Sequence, residues 1–145
     1  MKFLSTCFLA AALLTACGKS DQPEQIKTPE TVIAAKIEVD LTPLQQRGAK
    51  IYKRCRACHT LDEGGKNKVG PNLWAVYGAK TAAKEGYAYS KAMKAADIIW
   101  DEASMDAYLE RPAKYIPGTK MSFIGIKKQE DRDAVQDYMK LKTSP

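Results

Sequence analysis

A single histidine, His59, is all the imidazole in this chain of 145 residues. That scarcity excludes a range of chemistry: no second histidine exists to complete a zinc site or to serve as a general base while His59 is engaged. Cysteines are nearly as few, at positions 7, 17, 55 and 58. A long apolar run is missing as well. The stretch Phe3 to Leu14 is interrupted by Ser5, Thr6 and Cys7, and is too short for a spanning helix. Preceded by Lys2, it suits a signal peptide. No pair of strands stands out. The pattern is that of one small, mostly helical, loop-rich domain behind an export signal.

The apolar run ends in Leu14-Thr15-Ala16-Cys17, which resembles the lipobox of bacterial lipoproteins. The expected organisation is therefore a lipoprotein signal peptide over 1–16, a lipidated N-terminus and flexible tether over 17–40 beginning at acylated Cys17, and a folded domain over 41–145. An ordinary secretory signal with an incidental cysteine is the alternative; both readings export the protein. Gly18 stands where enteric bacteria use aspartate for inner-membrane retention, which leaves the choice of membrane open. The segment from Gly18 to Glu30 is polar and carries Pro23 and Pro29, with little to bury. The stretch Val32 to Val39 fits a short strand or a helical turn equally. Residues 18–40 hold three basic and five acidic side chains, whereas 41–145 hold 19 basic and 12 acidic. The net charge of +6 thus belongs to the domain.

What is present is concentrated in Cys55-Arg56-Ala57-Cys58-His59. This is the spacing of c-type haem attachment: two thiols that can add to the haem vinyl groups, followed by an imidazole that can reach the iron. Competing uses of these residues are weaker. Export leaves Cys55 and Cys58 as the two free thiols, and a disulfide or redox pair is the default in an oxidising compartment. A thioredoxin-like pair needs a βαβ context that is missing here. Zinc needs four protein ligands and finds three. Covalent haem uses all three side chains, and the sole histidine leaves methionine as the expected second axial ligand. Met1 is lost with the signal, Met105 and Met139 fall on helix faces, and Met93 sits in a short helix. Met121 lies in Tyr115-Ile-Pro-Gly-Thr-Lys-Met121, a loop with two turn-formers and no helical period. Filling a gap in the core is its alternative role.

Helices frame this motif. Thr42, Pro43 and Gln45 form a capping box with proline at the first helical position, and Leu44, Gly48, Ile51, Tyr52 and Cys55 then share one face. Gly48 lowers helix stability, so close approach of a second helix is expected there. A C-terminal helix over Glu130 to Lys142 presents Ala134, Val135, Tyr138, Met139 and Leu141, and is expected to pack on the first. A third runs from Glu102 to Glu110, capped by Asp101 and stopped by Pro112. Shorter ones are expected over Asn72–Tyr77 and Ser90–Ala96.

From Gly48 to about Leu141 the chain resembles class I cytochrome c, the mitochondrial proteins and their bacterial relatives. The shared segments are Cys55-Arg-Ala-Cys-His-Thr60, Gly64-Gly-Lys, Val69-Gly-Pro-Asn-Leu73, Gly86-Tyr-Ala-Tyr-Ser90, Ile98-Ile-Trp100, Tyr108-Leu and Lys114-Tyr-Ile-Pro-Gly-Thr-Lys-Met-Ser-Phe-Ile-Gly-Ile-Lys-Lys128. The resemblance implies an all-α fold in which the N- and C-terminal helices cross, loop-rich around one haem c bound through Cys55 and Cys58. It implies His59 and Met121 as axial ligands, the Pro71 carbonyl accepting the Nδ1 proton of His59, Tyr89 and Trp100 on the propionates, and Tyr108 beside the Met121 sulfur. Two departures bear on the propionate side: Ala79 replaces an arginine, with Lys80 as a neighbouring substitute, and Met93 stands where an asparagine is frequent.

The implied function is one-electron transport, not catalysis, with iron cycling between Fe(II) and Fe(III) in a respiratory or related chain. Arg54, Lys66, Lys68, Lys114, Lys120, Lys127 and Lys128 match positions that ring the haem edge and would steer the domain onto acidic docking surfaces. Expected partners are a cytochrome bc complex and a terminal oxidase, peroxidase or reductase, met by a monomer anchored in the bacterial envelope and facing the periplasm. Nucleic acid is the weaker use of the basic surface. A haem enzyme or gas sensor with a labile sixth ligand, and a passive docking module, are the rival classes.

Overall fold

Thr42 turns the chain into its first helix: its hydroxyl accepts from Gln45 N at 3.2 Å while Gln45 Oε1 accepts from Thr42 N at 3.1 Å. This reciprocal box opens α1, Pro43–Tyr52. The computed structural model describes residues 40–144. The signal peptide, Cys17, the tether up to Val39 and the ambiguous stretch Val32–Val39 lie outside the described residues. Four more helices follow: α2 Lys91–Ala95, α3 Glu102–Glu110, α4 Pro112–Tyr115 and α5 Gln129–Thr143. Among the described residues the only strand-like pairing is an isolated antiparallel bridge between Lys80 and Ile99. No helix there is long and apolar enough to cross a membrane.

The architecture turns on α1 crossing α5. At Gly48 a β-carbon would stand 2.0 Å from the Ala134 carbonyl oxygen, so the two backbones nearly touch. Ala134 and Val135 are wholly buried at this crossing. Arg47 Nε donates to Asp131 Oδ1 at 2.8 Å across the same helix pair, a half-exposed bond that adds little beyond orientation. Acidic Glu130 and Asp131 begin α5 and basic Lys140 and Lys142 end it, the arrangement the helix dipole favours. Tyr52, Met105, Tyr108, Leu109, Ile126 and Met139 complete the core between these helices and α3.

Two expectations about elements are corrected and one is extended. Asn72–Tyr77 forms turns instead of a helix. Ala75 adopts φ 54° there, and its N–H leaves the local turn to donate to Thr143 O at the end of α5, 2.9 Å away. Tertiary capping thus takes the amide a helix would have used. Pro112 ends α3 as expected but also starts α4, since its fixed φ suits a first helical position. Leu44 and Leu141, read as core-facing, are largely exposed, because the seam is only as wide as the crossing at Gly48.

Candidate functional site

The Cys55–His59 segment leaves α1 in a chain of tight turns. Cys55 N bonds Tyr52 O at 2.8 Å, and both Cys58 N and His59 N bond Cys55 O at 3.0 Å. These bonds gather the two sulfurs and the imidazole at the mouth of one cavity. The ring of His59 is then fixed from behind. Its Nδ1 lies 2.7 Å from Pro71 O. A carbonyl can only accept, so Nδ1 carries the proton and Nε2 presents its lone pair. Gly70 backs the ring so closely that a β-carbon would sit 2.3 Å from His59 Cε1.

The loop that supplies Pro71 is itself pinned. Gly70 N donates to Cys58 O and Leu73 N to Thr60 O, each at 2.9 Å. Buried Asn72 reaches through Nδ2 to Thr60 Oγ1 at 2.8 Å and Asp62 O at 2.9 Å. Burial holds the imidazole below its ordinary pKa, against the opposing pull of the Pro71 bond, and the charge of Lys68 acts with burial. The ring is therefore neutral at neutral pH, the form that ligates a metal. Burial also pushes the Cys55 thiol up to about 11, which makes it a poor thiolate for disulfide exchange. Neither Cys55 nor Cys58 is in a disulfide.

The cavity has a volume of about 610 Å³ and is walled by every residue assigned from sequence to the cofactor: Cys55, Cys58, His59, Pro71, Tyr89, Trp100, Tyr108 and Met121. Apolar side chains such as Leu73, Val76 and Leu109 fill the rest of the wall. Met93, Met105 and Met139 also reach it, but from helices, with less than a tenth of each exposed. Met121 differs in arriving on a loop. Its N–H donates to Thr119 Oγ1 at 3.3 Å, and the same hydroxyl pairs with Tyr108 OH at 2.9 Å. The Tyr108 ring rests 5.0 Å from that of Trp100. A neutral imidazole, two thiols of the attachment spacing, a loop-borne thioether and apolar walls are a donor set that fits haem c.

The basic residues divide. Arg54 and Lys120 stand on the cavity rim: Arg54 stacks over the Phe123 ring at 5.0 Å, and Lys120 Nζ donates to Ala88 O at 2.7 Å. Lys66, Lys68, Lys114, Lys127 and Lys128 are exposed but do not line the cavity. Lys68 and Lys127 donate to the carbonyls of Arg56 and Glu110. Lys80, considered as a stand-in for the missing arginine, is paired with Asp97 at 2.9 Å. Ala79 lines the cavity, as does Met93. Sequence reasoning missed Asn72, Thr119 and the Arg54–Phe123 stack. Nothing in the local pattern marks them, because each acts on a partner at least ten residues away or on the loop's own conformation.

Comparison with known proteins gives a consistent answer. The family model described as "Cytochrome c" matches residues 45–142. A cytochrome c of Kluyveromyces lactis is 48% identical over 96 residues, which covers 66% of this chain and 87% of that protein. One from Arabidopsis thaliana is 42% identical over 107 residues, covering 73% and 96%. A cytochrome c2 of Afifella marina is 45% identical over 96 residues, covering 64% and 77%.

Proposed function

Because this chain belongs to the cytochrome c family, we propose that it holds its haem iron between His59 and Met121 and carries single electrons from a lipid anchor at Cys17. The protein is a monohaem electron carrier, not an enzyme, and Cys55 and Cys58 supply the two sulfurs that bind one haem c. When bound, that group supplies an iron that cycles between Fe(II) and Fe(III). One observation carries the ligation: His59, with Nδ1 bonded to Pro71 O at 2.7 Å, and loop-borne Met121 line a single cavity.

In this reading each residue has a task. The Pro71 carbonyl keeps the His59 proton on Nδ1 and raises the basicity of Nε2. Thr119 and Tyr108 orient the backbone of Met121, while Leu73, Val76 and Leu109 exclude water. Tyr89 and Trp100, both on the cavity wall, would hydrogen-bond the propionates. A haem held by His59 and Met121 would have a higher reduction potential than one held by two nitrogen ligands, and would be closed to small ligands. Reduced protein at neutral pH is expected to leave its visible spectrum unchanged under carbon monoxide; ready binding would favour a gas sensor or haem enzyme instead.

Arg54, Lys66, Lys68, Lys114, Lys120, Lys127 and Lys128 serve in this proposal as the docking charges. The partners are membrane-bound redox complexes, a cytochrome bc complex as donor and a terminal oxidase or peroxidase as acceptor. Residues 1–16 act as the signal peptide and 17–40 as the tether, so the domain works from the periplasmic face of a bacterial envelope membrane. A linker of this length spans roughly 25 Å and raises the effective concentration of membrane-bound partners. Cys17→Ser should move the cytochrome from the membrane fraction to the soluble fraction with its spectrum unaltered. Retention of the variant in membranes would remove the anchor from the proposal.

A further inference from the structure

Among the described residues a polar cluster outside the haem cavity centres on the buried side chain of Arg132, in the first turns of α5. Its side chain is 7% exposed, an unusual depth for a guanidinium. Nε donates to Asp106 Oδ1 of α3 at 2.7 Å, Nη1 donates to Ile126 O at 2.9 Å and Lys127 O at 3.0 Å, and Nη2 donates to Gln129 Oε1. Gln129 Nε2 returns to Asp106 Oδ1 at 2.8 Å, closing the ring. None of these groups touches the cavity, and the helix crossing does not need them.

Their position on the chain suggests their use. Residues 116–128 form the loop that bears Met121. Its N-terminal foot is set by Ile116, whose N–H donates to Pro112 O at 2.9 Å. Its C-terminal foot is the pair of carbonyls that Arg132 grips. Gly125, at φ 97°, lets that foot approach α3 so closely that a β-carbon would lie 2.0 Å from Glu110 O. Ile126 N then donates to Leu109 O at 2.8 Å. Between Met121 and Gly125 the backbone is less held: Ser122 and Ile124 are exposed and Phe123 N bonds only back to Met121 O, while the Phe123 side chain packs against the core beneath Arg54. With the feet fixed, the loop's span decides where the thioether stands. With the Arg132 bonds gone, only the Ile126 N–H bond and the Phe123 side chain are left to hold the segment after Met121.

We infer that Arg132 is a positioning residue for the Met121 thioether, holding the C-terminal foot of the ligand loop through its bonds to the Ile126 and Lys127 carbonyls. The inference rests on the His59–Met121 ligation proposed above. Arginine is needed for this because one planar fork serves a carboxylate, two backbone carbonyls and an amide oxygen at once. A lysine ammonium keeps the charge but not that geometry.

The test is an imidazole titration of the ferric holoprotein, followed by loss of the thioether-to-iron absorbance. It compares the parent with Arg132→Lys and with Val135→Ala, which truncates a wholly buried neighbour on the same helix and removes no hydrogen bond to the loop. Arg132→Lys is expected to bind imidazole about tenfold more tightly than the parent, as the thioether-detached population rises by that factor. Val135→Ala should lose melting temperature yet stay within about twofold of the parent. An unshifted Arg132→Lys, or an equal shift in Val135→Ala at matched stability, overturns the positioning role. Should Arg132→Lys not fold, Gln129→Ala removes an exposed member of the same ring and should shift binding in the same direction, by about threefold; no shift there overturns the role equally. A parent that lacks the thioether absorbance overturns the ligation itself, which separates the two failures.

Discussion

Met121→Ala should leave a folded, covalently loaded cytochrome whose potential falls sharply and whose reduced form binds carbon monoxide. The argument begins at the loop. Alanine keeps the backbone bond from residue 121 to Thr119 Oγ1 and the two anchored feet, so the fold loses only one half-buried side chain. Under the proposed ligation the iron would lose its sulfur donor, and Met93, Met105 and Met139 are held in helices with the core packed around them. None can move to replace it without unravelling its turn. Axial ligands span roughly 0.8 V of potential, so exchange of a thioether for water or an open position should lower the potential by an appreciable share of that range. Redox titration and carbon monoxide difference spectra measure both effects. An unchanged spectrum and potential would mean that some other group faces the iron.

Gly48→Ala should be strongly destabilising for a change of one methyl group. Two effects compete. Within an exposed helix, alanine is favoured over glycine by about 1 kcal/mol. At this position the added carbon would stand 2.0 Å from Ala134 O and 2.7 Å from the β-carbon of Tyr138, against backbone that cannot turn aside. Relief requires α1 and α5 to separate, which opens the packing around Ala134 and Val135. Overpacking of this kind costs about 1–3 kcal/mol, and more where backbone must move. The steric effect wins, and the denaturation midpoint of the variant should fall well below the parent's. A midpoint that rises would show that the helices do not meet at Gly48. Because α1 leads directly into Cys55, the same variant should also hold haem less firmly.

Much of the site was legible in the linear order because its chemistry is local. Cys55, Cys58 and His59 are brought together by turns of three and four residues, so spacing alone reports their geometry. The caps at Thr42 and Asp101 are local in the same way, and Gly48 announced a close approach because glycine weakens a helix that has no other use for it. Resemblance supplied Pro71, Tyr89, Trp100, Tyr108 and Met121, and the fold places them all on one cavity. The failures came where distant groups compete with local preference. Asn72–Tyr77 has helical composition, yet Ala75 gives its amide to Thr143 at the far end of the chain. Leu44 and Leu141 have core-like periodicity on helices whose buried seam is narrower than the pattern.

By itself, then, the sequence determined the attachment chemistry, the sole imidazole and the helical class, since each depends on residue identity within a few positions. The tertiary structure alone decided what holds those groups in place. It set the Nδ1 tautomer of His59 through Pro71, because that bond needs two loops to meet at 2.7 Å. It brought loop-borne Met121 and three helix-borne methionines to the wall of one cavity. It also revealed the buried ring of Arg132, Asp106 and Gln129 at the foot of the ligand loop. A buried guanidinium and an exposed one read alike in a sequence; only packing tells them apart.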